Sequence, residues 1–283
     1  MGKRNGKGEE YTINGDFKIF EGKYLNGKKN GKGKEYNGLD ELIFEGEYLN
    51  GKKANGKGFN KNGKVNLKIE RNGKGKEFFD NGKLKFEGDY IYGRRFNGKG
   101  YDLNGKEVFD IKNGKGYIKE YDDIEHLFFE GEYSNGKWDG KVKISNENGN
   151  IEYEGEYLNG ERNGKGKQYY ENGNIEYEGE YLNGKWNGKG KQYYENGIII
   201  FEGEYLNGDW NGKGKCYYKN GKIFYEGEYL NGERNGKGKE YNHDGKYIFE
   251  GIFLNGKKWN GKGKEYNNKG EIDFEYINGE KRK

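Results

Sequence analysis

The chain has 283 residues, of which 54 are glycine and none proline; 35% are charged, 30% hydrophobic and 17% aromatic, and the formal net charge is +4. So little apolar residue points to disorder, but near-balanced charge and aromatics at fixed spacings point to rings buried in register. A single cysteine, Cys216, excludes an internal disulfide framework, and no apolar run approaches the ~20 residues of a membrane helix.

The chain opens with MGKRNGKGEEY, which has no apolar signal-like stretch and reads as the second half of a repeating phrase, a half-repeat over residues 1–14. Full phrases follow, of the form aromatic-Glu-Gly-Glu-Tyr-Leu-Asn-Gly-x-x-Asn-Gly-Lys-Gly-Lys. Two shortened repeats, near 64–80 and 106–121, lose the glycine core around the first turn, with tight turns expected near Arg71-Asn72 and Lys112-Asn113. Between them stands a full turn, Tyr92-Gly93-Arg94-Arg95-Phe96, which short neighbours are expected to leave protruding. A degenerate unit has Asp139-Gly140-Lys141-Val142 in place of Asn-Gly-Lys-Gly. The most regular repeats occupy 151–270, and 271–283 is a worn first half. Central glycines at Gly131, Gly155, Gly179, Gly203, Gly227 and Gly251 are 24 residues apart, the period of an array whose units bury themselves against their neighbours. The whole of 1–283 therefore reads as one array without a separate globular domain.

Within a unit, Tyr153-Glu154-Gly155-Glu156-Tyr157 alternates, so that rings and glycine share one strand face and carboxylates the other. Glycine every few residues argues against helix. Gly164-Lys165-Gly166-Lys167 alternates again, which sets Glu154 and Glu156 across from Lys165 and Lys167 and neutralises that face. Asn159-Gly160 and Asn172-Gly173 are hairpin signals. Glycines are expected to leave slots for rings. The fold class is all-β: an elongated twisted antiparallel meander of stacked hairpins with about 24 short strands.

Tyr177-Glu-Gly179-Glu-Tyr181-Leu-Asn-Gly184-Lys-Trp-Asn-Gly188-Lys-Gly190 resembles the MORN (membrane occupation and recognition nexus) repeat, and the YYENG extension is similar to variant repeats of some bacterial antitoxin-type proteins. The resemblance covers nearly the whole chain. It implies a scaffold for protein–protein interaction at membrane–cytoskeleton contacts, dimerisation, phosphoinositide binding in some members, and catalysis only in separate domains. An antitoxin-like binding role is the further alternative.

Catalytic chemistry lacks parts. Gly179–Lys185 has phosphate-loop spacing, but Trp186 stands where Ser or Thr would hold magnesium. His126 and His243 are far apart, Ser134, Ser145 and Thr12 are the only hydroxyl residues of their types, and Cys216 has no neighbouring histidine. Structural salt pairs account for the carboxylates. No catalytic residue, cofactor or metal site is assigned, and no basic stripe suits nucleic acid. The candidate contacts are the basic turns Lys28, Lys29, Lys52, Lys53, Arg94 and Arg95 with Tyr92 and Phe96, for an anionic membrane surface or a protein. Trp138, Trp186, Trp210 and Trp259 at the first turns are candidate aromatic contacts, although a tryptophan at a turn is most often an anchor over the adjacent rung. Both chain ends present edge strands lacking a hairpin mate, so homodimerisation or end-to-end pairing is an expected mode, with Lys3, Arg4, Lys281, Arg282 and Lys283 readable instead as charged caps. The expected location is cytoplasmic, peripheral to membrane or cytoskeleton.

Overall fold

The computed structural model describes residues 3–71, 73–268 and 270–282. Among them are 25 strands and no helix. Within each sheet every strand pairs antiparallel with its chain neighbours: a ten-stranded sheet runs from Gly6–Tyr11 to Glu107–Ile111 and a fifteen-stranded sheet from Lys115–Tyr121 to Glu280–Arg282. The chain forms two compact units: one extends to Gly140 and takes in Glu147–Gly149, the other comprises Lys141–Asn146 and continues from Asn150.

The repeat centred on Tyr153 explains the architecture. The strand Ile151–Leu158 turns at Asn159-Gly160, both in the left-handed region (φ 54° and 89°), the pair that a two-residue hairpin requires. The second Asn-Gly behaves differently. Only Gly173 has positive φ (84°); its N–H donates to the Tyr170 carbonyl at 2.9 Å, and the Tyr170 N–H donates to that of Asn174 at 2.8 Å. This is a three-residue loop in which one left-handed glycine closes a type I turn, rather than a second two-residue turn.

On the inner face Tyr153 is fully buried, and Gly155 pairs with Gly166. A Cβ on Gly155 would stand 2.5 Å from the Gly166 Cα and 2.6 Å from the Tyr153 hydroxyl. The glycines are thus the slot under the ring, as their placement suggested. Rings of successive repeats then meet edge to face, Tyr153 on Tyr181 at 5.5 Å, Tyr177 on Tyr205 at 5.3 Å and Phe201 on Tyr229 at 5.2 Å. Such pairs contribute about 0.5–1.5 kcal/mol each beyond the area they bury.

The outer face is neutralised, though not as a simple two-by-two pairing. Glu154 lies opposite Lys167, which also faces Glu178 of the next repeat. Glu154 accepts a hydrogen bond from the Tyr169 hydroxyl at 2.6 Å, and the same bond recurs from Tyr193 to Glu178 (2.7 Å) and Tyr241 to Glu226 (2.7 Å). The second glutamate is displaced by a bulge between Gly155 and Tyr157. Its equivalents Glu204 and Glu228 accept the backbone N–H of Lys213 (3.3 Å) and Lys237 (2.9 Å). Within its own hairpin the Glu156 position therefore caps an irregular backbone, while between repeats its equivalents Glu180, Glu204 and Glu228 stand across from Lys165, Lys189 and Lys213.

The shortened rungs are present as Val65–Ile69 with Lys74–Phe78, and Glu107–Ile111 with Lys115–Tyr121. Asn113-Gly114 makes a tight turn (φ 51° and 73°), whereas Asn72 of the other expected turn lies outside the described residues. The turn at Tyr92–Phe96 does not protrude. A Cβ on Gly93 would come within 3.1 Å of the Lys53 Cβ, the Lys52 ammonium sits 4.6 Å from the Tyr92 ring centre, and Arg94 donates to the Asn135 carbonyl at 2.8 Å. Removing a hairpin tip lets the adjacent full tips close over the gap. The C-terminal half-repeat also gains a mate, since Glu280–Arg282 pairs with Gly270–Ile277. Of the expected charged caps, Lys283 lies outside the described residues.

Candidate interaction edge

The two residues after each first Asn-Gly turn sit side by side in sequence but point into different environments. The second of each pair covers the ring of its own hairpin. Lys29 lies over Phe20 (4.0 Å), Lys53 over Phe44 (4.5 Å), Arg95 over Phe86 (4.7 Å), Arg162 over Tyr153 (4.3 Å) and Lys258 over Phe249 (5.3 Å). Trp138, Trp186 and Trp210 stack at the same position on Phe129 (4.2 Å), Tyr177 (4.4 Å) and Phe201 (4.5 Å). A cation is drawn to the negative face of the ring, and a stacked indole covers the same face by dispersion and buried area. These three tryptophans are anchors. Trp259 is one residue further on; its carbonyl accepts the Gly279 N–H at 2.9 Å and its ring packs against that glycine.

Lys29, Lys53, Arg95 and Lys258 are also held by buried or half-buried acids from the returning strands, whereas Arg162 donates to Gln168 at 2.7 Å. Lys29 lies 3.6 Å from both Glu10 and Glu35, and Lys53 2.8 Å from Glu35. Arg95 is the extreme case: its side chain is 10% exposed, it grips Glu77 through two nitrogens, and a third bond reaches Glu120 at 2.7 Å. Burial alone would raise the Glu77 carboxyl, but the guanidinium overrides it and holds the carboxyl below its ordinary value. Burial also opposes the charged Arg95, and the two carboxylates more than offset that. At Trp210 glutamine takes the place of the acid, the Trp210 Nε1 donating to Gln192 at 3.3 Å. Lys29, Lys53 and Arg95 are therefore not free contacts. The sequence lacks any local sign of the returning strand that claims them.

The first residue of each pair remains outside. Lys28, Lys52 and Arg94 are exposed, as are Glu161, Lys185, Asp209, Glu233 and Lys257. Opposite each stands an apolar residue that the sequence reading passed over. Leu25, Leu49 and Ile91 in the first unit are 52%, 50% and 43% exposed, and Leu158, Leu182, Leu206, Leu230 and Leu254 in the second are 40–51% exposed. Successive tips are tied: the Gly184 N–H donates to the Arg162 carbonyl (2.9 Å), Gly208 to Trp186 (2.9 Å) and Gly232 to Trp210 (2.8 Å). Tyr92 is 55% exposed beside this row, while Phe96 is half-buried with its carbonyl taken by the Gly114 N–H at 2.6 Å.

Elsewhere, burial raises the Cys216 thiol, and His243 stacks on Tyr218 at 3.8 Å. Among the described residues no three His, Cys, Asp or Glu side chains converge as metal ligands, and no helix is long and apolar enough to cross a membrane.

The family description "MORN repeat" matches residues 1–17, 20–38, 129–141, 153–175, 177–199, 201–223 and 225–247, and "MORN repeat variant" matches 71–92 and 138–159, together more than half of the chain. No curated protein matches. Solved structures similar to this chain include "Crystal Structure of TcdB2-TccC3-Cdc42" (11% identity, TM-score 0.18, 96% of this chain and 14% of that one) and "Crystal Structure of TcdB2-TccC3-TEV" (9% identity, TM-score 0.16, 95% and 16%). The chain spans less than a fifth of the length of either, and at such TM-scores the likeness carries no argument about fold or role.

Proposed function

The chain belongs to the MORN repeat proteins, and we propose that it works as a non-catalytic scaffold that binds protein through the leucine-studded edge of its first turns. The observation that carries this reading is the division of labour at the tips. Rings, glycines, covering cations and half-buried acids all serve packing, whereas an exposed leucine and an exposed charge recur at every regular tip. A periodic apolar row is unusual on a surface otherwise covered with charge, and it suits a partner that follows the repeat. The proposed place of action is the cytoplasm, at a membrane–cytoskeleton contact.

The test compares proteins retained from the native cell by the wild type and by a Leu182→Ser, Leu206→Ser, Leu230→Ser variant of equal thermal stability. Retained proteins lost with the variant, and bound directly once purified, support the reading; identical retention by both overturns it. A second reading, binding of anionic phospholipid, is favoured by the uniformly cationic tips Lys28, Lys52 and Arg94. Sedimentation with phosphatidylserine and phosphoinositide vesicles over a salt series tests it, and absence of binding at low salt removes it.

A further inference from the structure

The leucine edge differs between the two units in one respect, its charge. In the first unit the exposed tip residues are Lys3, Lys28, Lys52, Arg94 and Lys137, all cations. Lys3 belongs to the set because the next residue, Arg4, offers its carbonyl to the Gly27 N–H at 2.9 Å, as the second tip residue does elsewhere. In the second unit the equivalent residues are Glu161, Lys185, Asp209, Glu233, Lys257 and Glu280, four acids and two cations. Apolar residues accompany both sets: Leu25 pairs with Lys28 and Leu49 with Lys52, while Leu158 pairs with Glu161 and Leu206 with Asp209.

We propose that the partner of this edge is a second copy of the chain, the basic leucine edge of one copy's first unit docking on the acidic leucine edge of the other's second unit. The proposal rests on the scaffold reading and names its partner. Three features support it. Opposite charges flank apolar rows in the two units, so the contact is attractive in this pairing and repulsive when the first unit meets its own kind. Both rows have the same hairpin period, about two strand spacings or roughly 10 Å, so leucines of one row can seat between those of the other. The short rungs do not interrupt the basic row, because the tips at Lys53 and Gly93, and at Arg94 and Asn135, close up across them.

A charge exchange tests the inference on the full chain. Sedimentation velocity over a concentration series should find the wild type associating to dimers or larger species, less so at high salt. Lys28→Glu, Lys52→Glu, Lys137→Glu in one variant and Glu161→Lys, Asp209→Lys, Glu233→Lys in another alter only exposed tips. Each variant alone should associate at least roughly tenfold more weakly than wild type. Mixing the two should restore association, because each supplies the charge the other has lost. A wild type that stays monomeric at every concentration overturns the proposal, as does association unaffected by either triple, or a mixture that fails to recover. Should a triple lower the thermal midpoint, Leu206→Ser and the salt series on the wild type read the same contact, and salt-independent association is then the overturning result. Failure here leaves the scaffold reading standing if the leucine variant still loses another protein, so the two outcomes are separable.

Discussion

Replacing Arg95 with Met tests the claim that the second tip residue serves the core. The substitution keeps an apolar stem over Phe86 and removes the charge shared by Glu77 and Glu120, whose side chains are 22% and 16% exposed. Breaking a buried ion pair by removing one partner costs about 3–5 kcal/mol, mainly because the remaining charge stays desolvated. Partial exposure of both acids places the expected loss near the lower end, about 3 kcal/mol. The repeats themselves supply the repair. Arg95→Trp with Glu77→Gln and Glu120→Gln installs the combination found at Trp210 and Gln192, and should recover all but about 1 kcal/mol. Urea denaturation followed by circular dichroism measures the differences, with exchange of the Gly114 amide as a local reporter, because long repeat arrays can lose two-state behaviour. The pH dependence supplies a second check. The Glu77 carboxyl is held below its ordinary value in the fold, so the stability it contributes is complete above the ordinary carboxylate pKa and is lost as pH falls through the depressed one. The gap between wild type and Arg95→Met should therefore narrow on acidification. A loss under about 1 kcal/mol, or a triple variant no more stable than the single one, would refute the buried-row account.

The slot glycines and the loop glycines should respond differently. Gly166→Ala puts a methyl 2.7 Å from the Tyr153 Cζ and should cost about 1–3 kcal/mol, whereas Gly173→Asn, in open space at φ 84°, should cost under about 1 kcal/mol by urea titration. Tyr193→Phe deletes the bond to Glu178 and should cost about 1–2 kcal/mol by urea titration. Spectrophotometric titration should find tyrosines that resist ionisation near pH 10. Burial pushes Tyr225 and Tyr241 up to about 12, so the stability they supply is complete below the ordinary tyrosine pKa and is lost as pH rises through the raised one.

The period, the ring slots and the Asn159-Gly160 turn were legible in the sequence because each rests on local geometry repeated at equal spacing. The second Asn-Gly was legible as a reversal but not as a loop type, because an identical dipeptide can close two loop types and the outcome depends on the strand ends Tyr170 and Asn174. Arg95 was misread for a deeper reason: its acids, Glu77 and Glu120, are 18 and 25 residues away on returning strands. Residue identity on the strand gives no fixed rule either, since Trp210 goes with Gln192 but Arg162 goes with Gln168. The tip at Tyr92–Phe96 was expected to stand out because missing residues suggest a recess, whereas neighbouring tips moved together. The leucines were overlooked because each alone is an ordinary surface residue.

Adjacent residues with opposite duties allow the structural and interaction roles to be separated by one position. Lys29 is half-buried, 4.0 Å from the Phe20 ring and within 3.6 Å of two carboxylates, while its neighbour Lys28 is exposed beside Leu25. Lys29→Met should lower the urea midpoint, because Glu10 and Glu35 lose the cation that bridges them, and should leave salt-dependent association of the folded protein unchanged. Lys28→Glu should leave the midpoint unchanged and weaken association. The difference follows from solvent: a charge already hydrated loses nothing on folding and is free to act between molecules, whereas one held against a ring has its partners within the fold. Equal loss of stability from both substitutions would mean that the tips act as a unit, and the leucine edge would then belong to the fold instead of to a partner.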